Sequence, residues 1–126
     1  MWVGGRIAGR SLDLTEAAAR WNGSAWRVAP VPVASSKADC VLRSIVPDRA
    51  GLLALGECFS SLNPGHVWSR LWKLSAGTWA GPSRPRLAGT EPVFTDLASA
   101  ERAGLAWAAG YAENIGVIAL SGPAPR

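Results

Sequence analysis

The lone histidine, His66, is the first residue of this 126-residue chain to consider for chemistry. It lies in the stretch NPGHVW, and no cysteine or carboxylate stands at a metal-ligand spacing from it. A single histidine also forms no catalytic triad without a nucleophile and an orienting acid at defined positions. We therefore interpret His66 as a loop residue, and we expect neither a metal site nor a cofactor.

The nine acidic residues do not mark a catalytic pair either. A glycosidase needs two convergent carboxylates, and the spacing of these residues singles out no two of them. Asp48 and Glu101 occupy equivalent places in the similar stretches DRAGL and ERAGL, which is typical of turn residues. The sequence also has no glycine-rich phosphate loop and no nucleophile elbow. We therefore expect that the chain is not an enzyme.

The two cysteines, Cys40 and Cys58, flank the segment CVLRSIVPDRAGLLALGEC. This segment is predicted to be a β-hairpin with its turn at residues 47–50. Residues whose numbers add up to 97 or 98 would then face each other, and the numbers of the two cysteines add up to 98. A disulfide between them would indicate an oxidising compartment. The alternative is two unlinked thiols that are one position out of register.

Tryptophan dominates the aromatic residues, with seven Trp against two Phe and one Tyr. Trp68 lies outside the repeated positions described below, so it is the best candidate for an aromatic platform that binds a sugar. Asn63 and His66, in the preceding loop, are the other weak candidates for ligand contacts. Four tryptophans recur at regular positions and are predicted to pack within the fold: Trp21, Trp26, Trp72 and Trp79.

A repeat of about fifty residues links these tryptophans to glycines. Gly5 and Trp21 are separated by 16 positions, and so are Gly56 and Trp72. Both landmarks of the second copy are therefore displaced by 51 positions from the first. Several landmarks in one order at one spacing indicate a repeated structural unit.

Further landmarks follow with a shift of 53 positions. Trp26 corresponds to Trp79, and DRAGL at 48–52 corresponds to ERAGL at 101–105. We place the two extra residues of the second copy in the turn between its tryptophans. A third apolar segment, LAWAAG, ends at Gly110.

Each unit is predicted to contain four short strands. Fourteen Gly and nine Pro interrupt the chain too often for long helices. Segments such as GLLALG are continuously apolar, which is typical of a strand buried on both faces. Sheets that stack face to face bury strands in this way.

These stretches resemble kelch-like β-propeller repeats, especially the tandem repeats of large actinobacterial propeller proteins. In such repeats an apolar strand of the WAVG type precedes a WNG-x-x-W hairpin. Here the strand matches end at Gly5, Gly56 and Gly110, and the hairpin match begins at Trp21. The second hairpin lacks the Asn-Gly pair. The resemblance implies that the repeated Trp and Gly residues serve packing and turns, while the loops at one face carry function.

The predicted fold is therefore all-β, a partial β-propeller of four-stranded antiparallel blades that spans residues 1–126 as one segment. Residues 1–32 would supply strands 2 to 4 of a partial blade, 40–85 a complete blade, and 92–126 strands 1 to 3 of another partial blade. Such a segment would expose two apolar blade faces. We expect either the missing remainder of a larger propeller or a homo-oligomer to cover them.

An α+β fold is the alternative to this prediction. Residues 13–21 and 96–109 are rich in alanine and other good helix formers. Asp13 and Glu16 also stand at the spacing of a capping box. On propensity alone, both segments could form helices.

The charge pattern bears on partners. The net charge of +4 comes from scattered basic residues and not from the concentrated stripe of a nucleic-acid reader, so we expect no nucleic-acid partner. No stretch reaches the roughly 18 apolar residues of a membrane span. The N-terminal stretch MWVGGRIAGR lacks the pattern of a signal peptide, but the families that the chain resembles are often secreted. We therefore favour a secreted or cell-surface location over a cytoplasmic one.

The function expected from the sequence is a non-enzymatic scaffold that binds a protein or a glycan through loops such as 57–67 and 6–16. Two alternatives remain at this point. The chain could be a fragment of a carbohydrate-active propeller enzyme whose catalytic residues lie elsewhere. It could also be a truncated reading frame without independent function.

Overall fold

The fold is all-β, as the sequence predicts. The computed structural model describes residues 1–8, 14–32, 38–49, 51–60, 62–63, 65–85, 91–100, 105–113 and 115–121. Ten strands follow one another along the chain: β1 (Trp2–Ala8), β2 (Leu14–Trp21), β3 (Trp26–Pro30), β4 (Ala38–Asp48), β5 (Gly51–Ser60), β6 (Val67–Ser75), β7 (Thr78–Ser83), β8 (Val93–Ala100), β9 (Leu105–Ala112) and β10 (Ile115–Ser121). They form three antiparallel sheets: the first sheet (β1-β2-β3), the central sheet (β4-β5-β6-β7) and the third sheet (β10-β9-β8).

The helices of the α+β alternative do not form, and that alternative is wrong. Residues 14–21 are strand β2, and the described part of 96–109 belongs to β8 and β9; Asp13 and residues 101–104 lie outside the described part. Ala18 of β2 is fully buried between the first and central sheets. A small side chain at this position lets the sheets approach closely, so tertiary packing overrides the helix propensity of the alanine run. The described residues contain no helix that is long and apolar enough to cross a membrane.

Local turn chemistry explains how neighbouring strands join. Ala76 and Gly77 both have positive φ, 49° and 79°, and they connect β6 to β7 in the two-residue turn that suits the twist of a hairpin. Between β2 and β3, the side-chain Oδ1 of Asn22 accepts hydrogen bonds from the backbone N–H groups of Ser24 at 3.0 Å and Ala25 at 2.9 Å. This Asx arrangement satisfies the backbone of the turn.

The central sheet is packed on both faces. One face lies against the first sheet and the segment that follows it, and its buried contacts are Leu52, Ala54, Trp72 and Leu74 against Ala18 and Val31. The opposite face lies against the third sheet, and its buried contacts are Val46 and Leu55 against Phe94, Leu97 and Ala108. This double burial explains why β5 is continuously apolar.

Side-chain hydrogen bonds also tie the sheets together. The hydroxyl of Ser69, which is fully buried, accepts the backbone N–H of Phe94 at 2.7 Å. On the other face, the indole N–H of Trp72 donates to the carbonyl of Pro32 at 3.2 Å. Each contact satisfies a polar group that sheet stacking removes from water.

The central and third sheets carry a β-bulge at the same place. Leu42 pairs with Gly56 and Phe94 pairs with Gly110, and in each hairpin the register shifts immediately after that pair. The bulge inserts one unpaired residue, which bends the strand and increases its twist. The repeated glycine therefore marks a recurrent backbone irregularity as well as a recurrent residue type.

The bulge also decides which residues face Cys40. The β4–β5 turn joins Asp48 to Gly51, one residue later than the predicted turn at 47–50. Pairing from that turn without interruption would place Cys40 opposite Phe59, because the pairs near the turn add up to 99. The bulge removes one position, and Cys40 lies directly opposite Cys58.

The two tryptophan hairpins align differently from the sequence pattern. Trp21 pairs with Trp26, and Leu74 pairs with Trp79, each pair enclosing four residues. Leu74, and not Trp72, is therefore the partner of Trp21 in the register. The two extra residues of the second copy lie before the hairpin, in the β5–β6 connection, and not in the turn where the sequence placed them.

Candidate ligand-binding surface

The β5–β6 connection holds two of the predicted ligand contacts in a compact loop. The backbone N–H of Asn63 donates to the Ser60 carbonyl at 3.3 Å, and that of His66 donates to the Asn63 carbonyl at 3.0 Å. The Ser60 hydroxyl also accepts the backbone N–H of Leu62 at 3.1 Å. These bonds order the loop while the side chains of Asn63 and His66 stay exposed.

Trp68 is the second residue of β6, directly beyond this loop. Its ring is half-buried against the cluster that contains Trp72, and it also lies next to His66 and Arg70. The His66 and Trp68 ring centroids are 5.3 Å apart at a tilt of 39°, and the Arg70 guanidinium lies 5.6 Å from the Trp68 centroid. The structure thus brings His66 and Trp68 together, with Asn63 in the same loop.

Arg70 links this surface to the segment before β8. Its Nη1 atom donates to the Ser69 carbonyl at 2.8 Å and to Oε1 of Glu91 at 3.1 Å. Arg84 also reaches Oε1 of Glu91, at 3.0 Å. One carboxylate therefore holds two guanidinium groups next to the aromatic pair, and the group carries excess positive charge.

The disulfide supports the same end of the sheet. The Sγ atoms of Cys40 and Cys58 are 2.03 Å apart, and Cys58 pairs with Trp68 across β5 and β6. The bond therefore fixes β4 to β5 beside the strand that carries the aromatic side chain. We name Asn63, His66, Trp68 and Arg70 the aromatic surface.

The aromatic surface combines an apolar ring with hydrogen-bond donors. A half-exposed indole presents an apolar face, and guanidinium groups and an amide supply hydrogen-bond donors at its edge. In the described residues, no three His, Cys, Asp or Glu side chains gather into a possible metal site. The Glu57 carboxylate forms an ion pair with Arg43, because its Oε1 lies 2.8 Å from Nη2 of Arg43. This contact raises the pKa of the Arg43 guanidinium.

Most of the repeated residues serve packing. Trp72 is 1% exposed, and its ring lies over Gly56, where a Cβ atom would come within 2.5 Å of the ring. A Cβ on Gly110 would collide with the backbone of Val93. These two glycines permit close approach, one of a ring and one of a strand.

The first copy behaves differently. Among the described residues, nothing lies within 4 Å of the position of a Cβ on Gly5. Trp21 and Trp26 contact each other, with centroids 5.5 Å apart, but both remain exposed. Trp79 is half-buried at the edge of the core, and its indole N–H has no hydrogen-bond partner in the described part of the structure.

A cleft that sequence patterns do not indicate opens at the other end of the sheets. It encloses about 580 Å³ between the first and central sheets, and its lining includes Trp2, Arg20, Asp48 and Arg49. The Arg20 guanidinium lies 5.9 Å from the Trp2 centroid. Because the lining comes from four strands and a turn, only the stacking of the sheets creates the cleft.

Asp48 at this cleft is already neutralised by a neighbour. Lys73 contacts Oδ2 of Asp48 at 2.6 Å. The hydrogen bond from Lys73 lowers the pKa of the Asp48 carboxyl, against a smaller opposing effect of burial. The pair joins the β4–β5 turn to β6 and is structural.

Comparison with known proteins gives no relative. No family model, curated protein or solved structure matches this chain.

Proposed function

We propose that the chain is a segment of a kelch-like β-propeller, a non-enzymatic scaffold that binds a glycan at the aromatic surface. A protein partner at the same surface is the competing outcome. The cross-strand disulfide fits a secreted or cell-surface setting, where disulfides persist.

Regular stacking supports the propeller architecture. The face of the central sheet that contains Gly56 lies on the first sheet, and the face of the third sheet that contains Gly110 lies on the central sheet. The same relation therefore holds at both junctions. Antiparallel sheets whose strands follow chain order and stack by one repeated step are the arrangement of propeller blades.

Trp68 is the observation that carries the binding proposal. It stands outside the repeated packing positions, lies at a loop end, and keeps part of its ring accessible beside His66 and Arg70. An indole face stacks on the C–H face of a sugar ring, while nearby donors bond its hydroxyl groups. Packing alone does not require the polar residues that surround it.

A glycan microarray with neutral and acidic oligosaccharides tests this proposal. Trp68→Ala is compared with Trp2→Ala, which removes another half-buried indole, but at the opposite end of the sheets. For any glycan that binds, we expect Trp68→Ala to weaken affinity about tenfold or more, because it removes the stacking face. Trp2→Ala, which loses similar packing, should retain that affinity.

Titration calorimetry on the glycan hits provides the measurement, and circular dichroism checks the fold of each variant. Equal affinities of Trp68→Ala and the unchanged chain would contradict the assignment of the aromatic surface. Binding to no glycan would reject the glycan and leave a protein as the ligand class.

A further inference from the structure

Two sheet faces of the molecule lie uncovered by the described residues. The first-sheet outer face consists of Val3, Ala17, Ala19, Trp21, Trp26 and Val28; of these, Ala17 is buried. These side chains point away from the central sheet, because Ala18 and Trp2 point toward it and neighbours along a strand alternate. Four of them are strongly exposed: Val3 at 45%, Trp21 at 37%, Trp26 at 44% and Val28 at 51%.

The third-sheet outer face consists of Trp107, Ala109 and Tyr111 of β9. Ala108 of the same strand is buried toward the central sheet, so its neighbours point away. Tyr111 is 47% exposed.

The first-sheet outer face corresponds in register to a face that is buried elsewhere in the molecule. Val3 precedes Gly5 by two positions, as Ala54 precedes Gly56, and Ala54 is fully buried against the first sheet. The Trp21–Trp26 pair corresponds to Leu74–Trp79, which packs in the same place. In the third sheet, the face that contains Gly110 is covered as well.

The third-sheet outer face corresponds to the surface that does the covering. Ala109 directly precedes Gly110, as Leu55 directly precedes Gly56, and Leu55 packs against the third sheet. The molecule therefore exposes faces that correspond to the two sides of its internal sheet-to-sheet contacts, although the first sheet has no described strand equivalent to β4 or β8. We propose that a second copy of the chain docks its third-sheet outer face on the first-sheet outer face, head to tail.

This inference rests on the stacking order used in the proposed function, and it names the partner of the exposed faces. Asp96 pairs with Ala109 and lies on the same face, but its charge is compatible with the proposed contact. Asp96 belongs to β8, and the first sheet of the docked copy has no described strand equivalent to β4 or β8. Such a contact uses two different faces, so it extends to a ring or a filament, whereas two identical faces would stop at a dimer.

Sedimentation velocity over a wide range of concentration tests the inference. Val28→Glu places a charge in one face and Tyr111→Glu places a charge in the other. Each variant alone is expected to weaken association by about a hundredfold or more, because a docked sheet would bury the carboxylate without a partner. Leu62→Glu, at a residue 85% exposed in the β5–β6 loop, is the control and should associate like the unchanged chain.

Mixing the two variants gives the sharpest result. Val28→Glu keeps an intact third-sheet face and Tyr111→Glu keeps an intact first-sheet face, so the mixture should form a one-to-one dimer that grows no further. A monomeric mixture, or an unchanged mass of either single variant, would overturn the inference. Trp26→Lys replaces Val28→Glu if circular dichroism shows that the latter is unfolded.

Glycan binding on the same samples separates the two proposals. A folded, β-rich chain that stays monomeric at every concentration but binds a glycan through Trp68 would sink the head-to-tail contact and leave the proposed function intact. Association that responds to both face variants without glycan binding would do the reverse.

Discussion

The central sheet and the first sheet have corresponding faces, of which one is buried and the other is exposed. In the central sheet, Gly56 lies beneath the ring of Trp72, and that face is sealed by the first sheet. In the first sheet, Gly5 is open, and the Trp21–Trp26 pair lies on the surface. The pattern of apolar residues thus specifies which face of a sheet packs, but a neighbour decides whether that face is buried.

The two sheets also use tryptophan differently. Trp72 fills space inside the fold and donates its N–H to the Pro32 carbonyl. Trp26, which belongs to the repeated tryptophan pattern of the sequence, lies instead on the sheet surface against Trp21. Mutations in the two sheets should therefore have very different effects on the stability of the monomer.

The largest expected effect comes from Trp72→Ala. Removal of a fully buried indole leaves a cavity and an unpaired carbonyl, and should lower the free energy of unfolding by about 3–5 kcal/mol. The matched change Trp26→Ala should cost less than about 1 kcal/mol in the monomer, because the ring is already exposed. Urea denaturation followed by circular dichroism measures both. Similar losses in the two variants would erase the distinction between the sheets.

The disulfide belongs to the central sheet and gives the next effect. Replacing both cysteines, as Cys40→Ala with Cys58→Ala, frees a closed loop whose ends are 18 positions apart. Loop-closure entropy predicts a loss of about 3 kcal/mol in the free energy of unfolding. Addition of a reductant to the unchanged chain should produce a comparable shift of the denaturation midpoint. A midpoint that is insensitive to both treatments would show that the hairpin needs no covalent link.

Ser69→Ala tests the junction between the central and third sheets. The substitution leaves the buried N–H of Phe94 without its acceptor, which should cost about 1–3 kcal/mol of stability. Ser83→Ala is the control, because its exposed hydroxyl donates only a longer bond to the Leu71 carbonyl, at 3.3 Å. Thermal denaturation compares the two. If Ser83→Ala destabilises the chain as much as Ser69→Ala does, the buried hydroxyl has no special role.

The smallest effect concerns the ion pair of Asp48 and Lys73, which joins β4 to β6. The described part of the first sheet has only three strands and no equivalent of β4, so it has no corresponding ion pair. The pKa of Asp48 is lower in the folded chain than in the unfolded chain. Its contribution is therefore present above the unfolded pKa of about 3.9 and is lost as the pH falls through the folded pKa. Because Lys73 is half-exposed, the contribution should stay below about 1 kcal/mol. Asp48→Asn should flatten this acid dependence of stability, and an unaltered pH profile would contradict the assignment.

Some of these features could be predicted from the sequence and others could not. Turn residues and apolar runs were sufficient to identify strands and to place Cys40 near Cys58. The alanine-rich run of β2 favoured a helix, because local propensity contains no information about the neighbouring sheet.

Long-range geometry escaped the sequence patterns. The bulge after Leu42 sets the cysteine register. The repeated glycine opposite it was read from the sequence as a packing and turn residue, and its position alone did not predict a bulge. Similarly, Glu91 lies 21 positions from Arg70 and joins it only because the third sheet packs on the central one. The aromatic surface was therefore visible as Trp68 and its loop, while its charged border was not.

Hydroxyl-radical footprinting with mass spectrometry tests the central contrast most directly. The oxidation rates of Trp72 and Trp26 are measured in one sample of the folded chain as its concentration increases. We expect Trp72 to be protected at every concentration, and Trp26 to be oxidised when dilute and protected as chains associate. Oxidation of Trp72 at the rate of Trp26 in the dilute folded chain would contradict the account, because it would show that the face containing Gly56 is not covered by the first sheet.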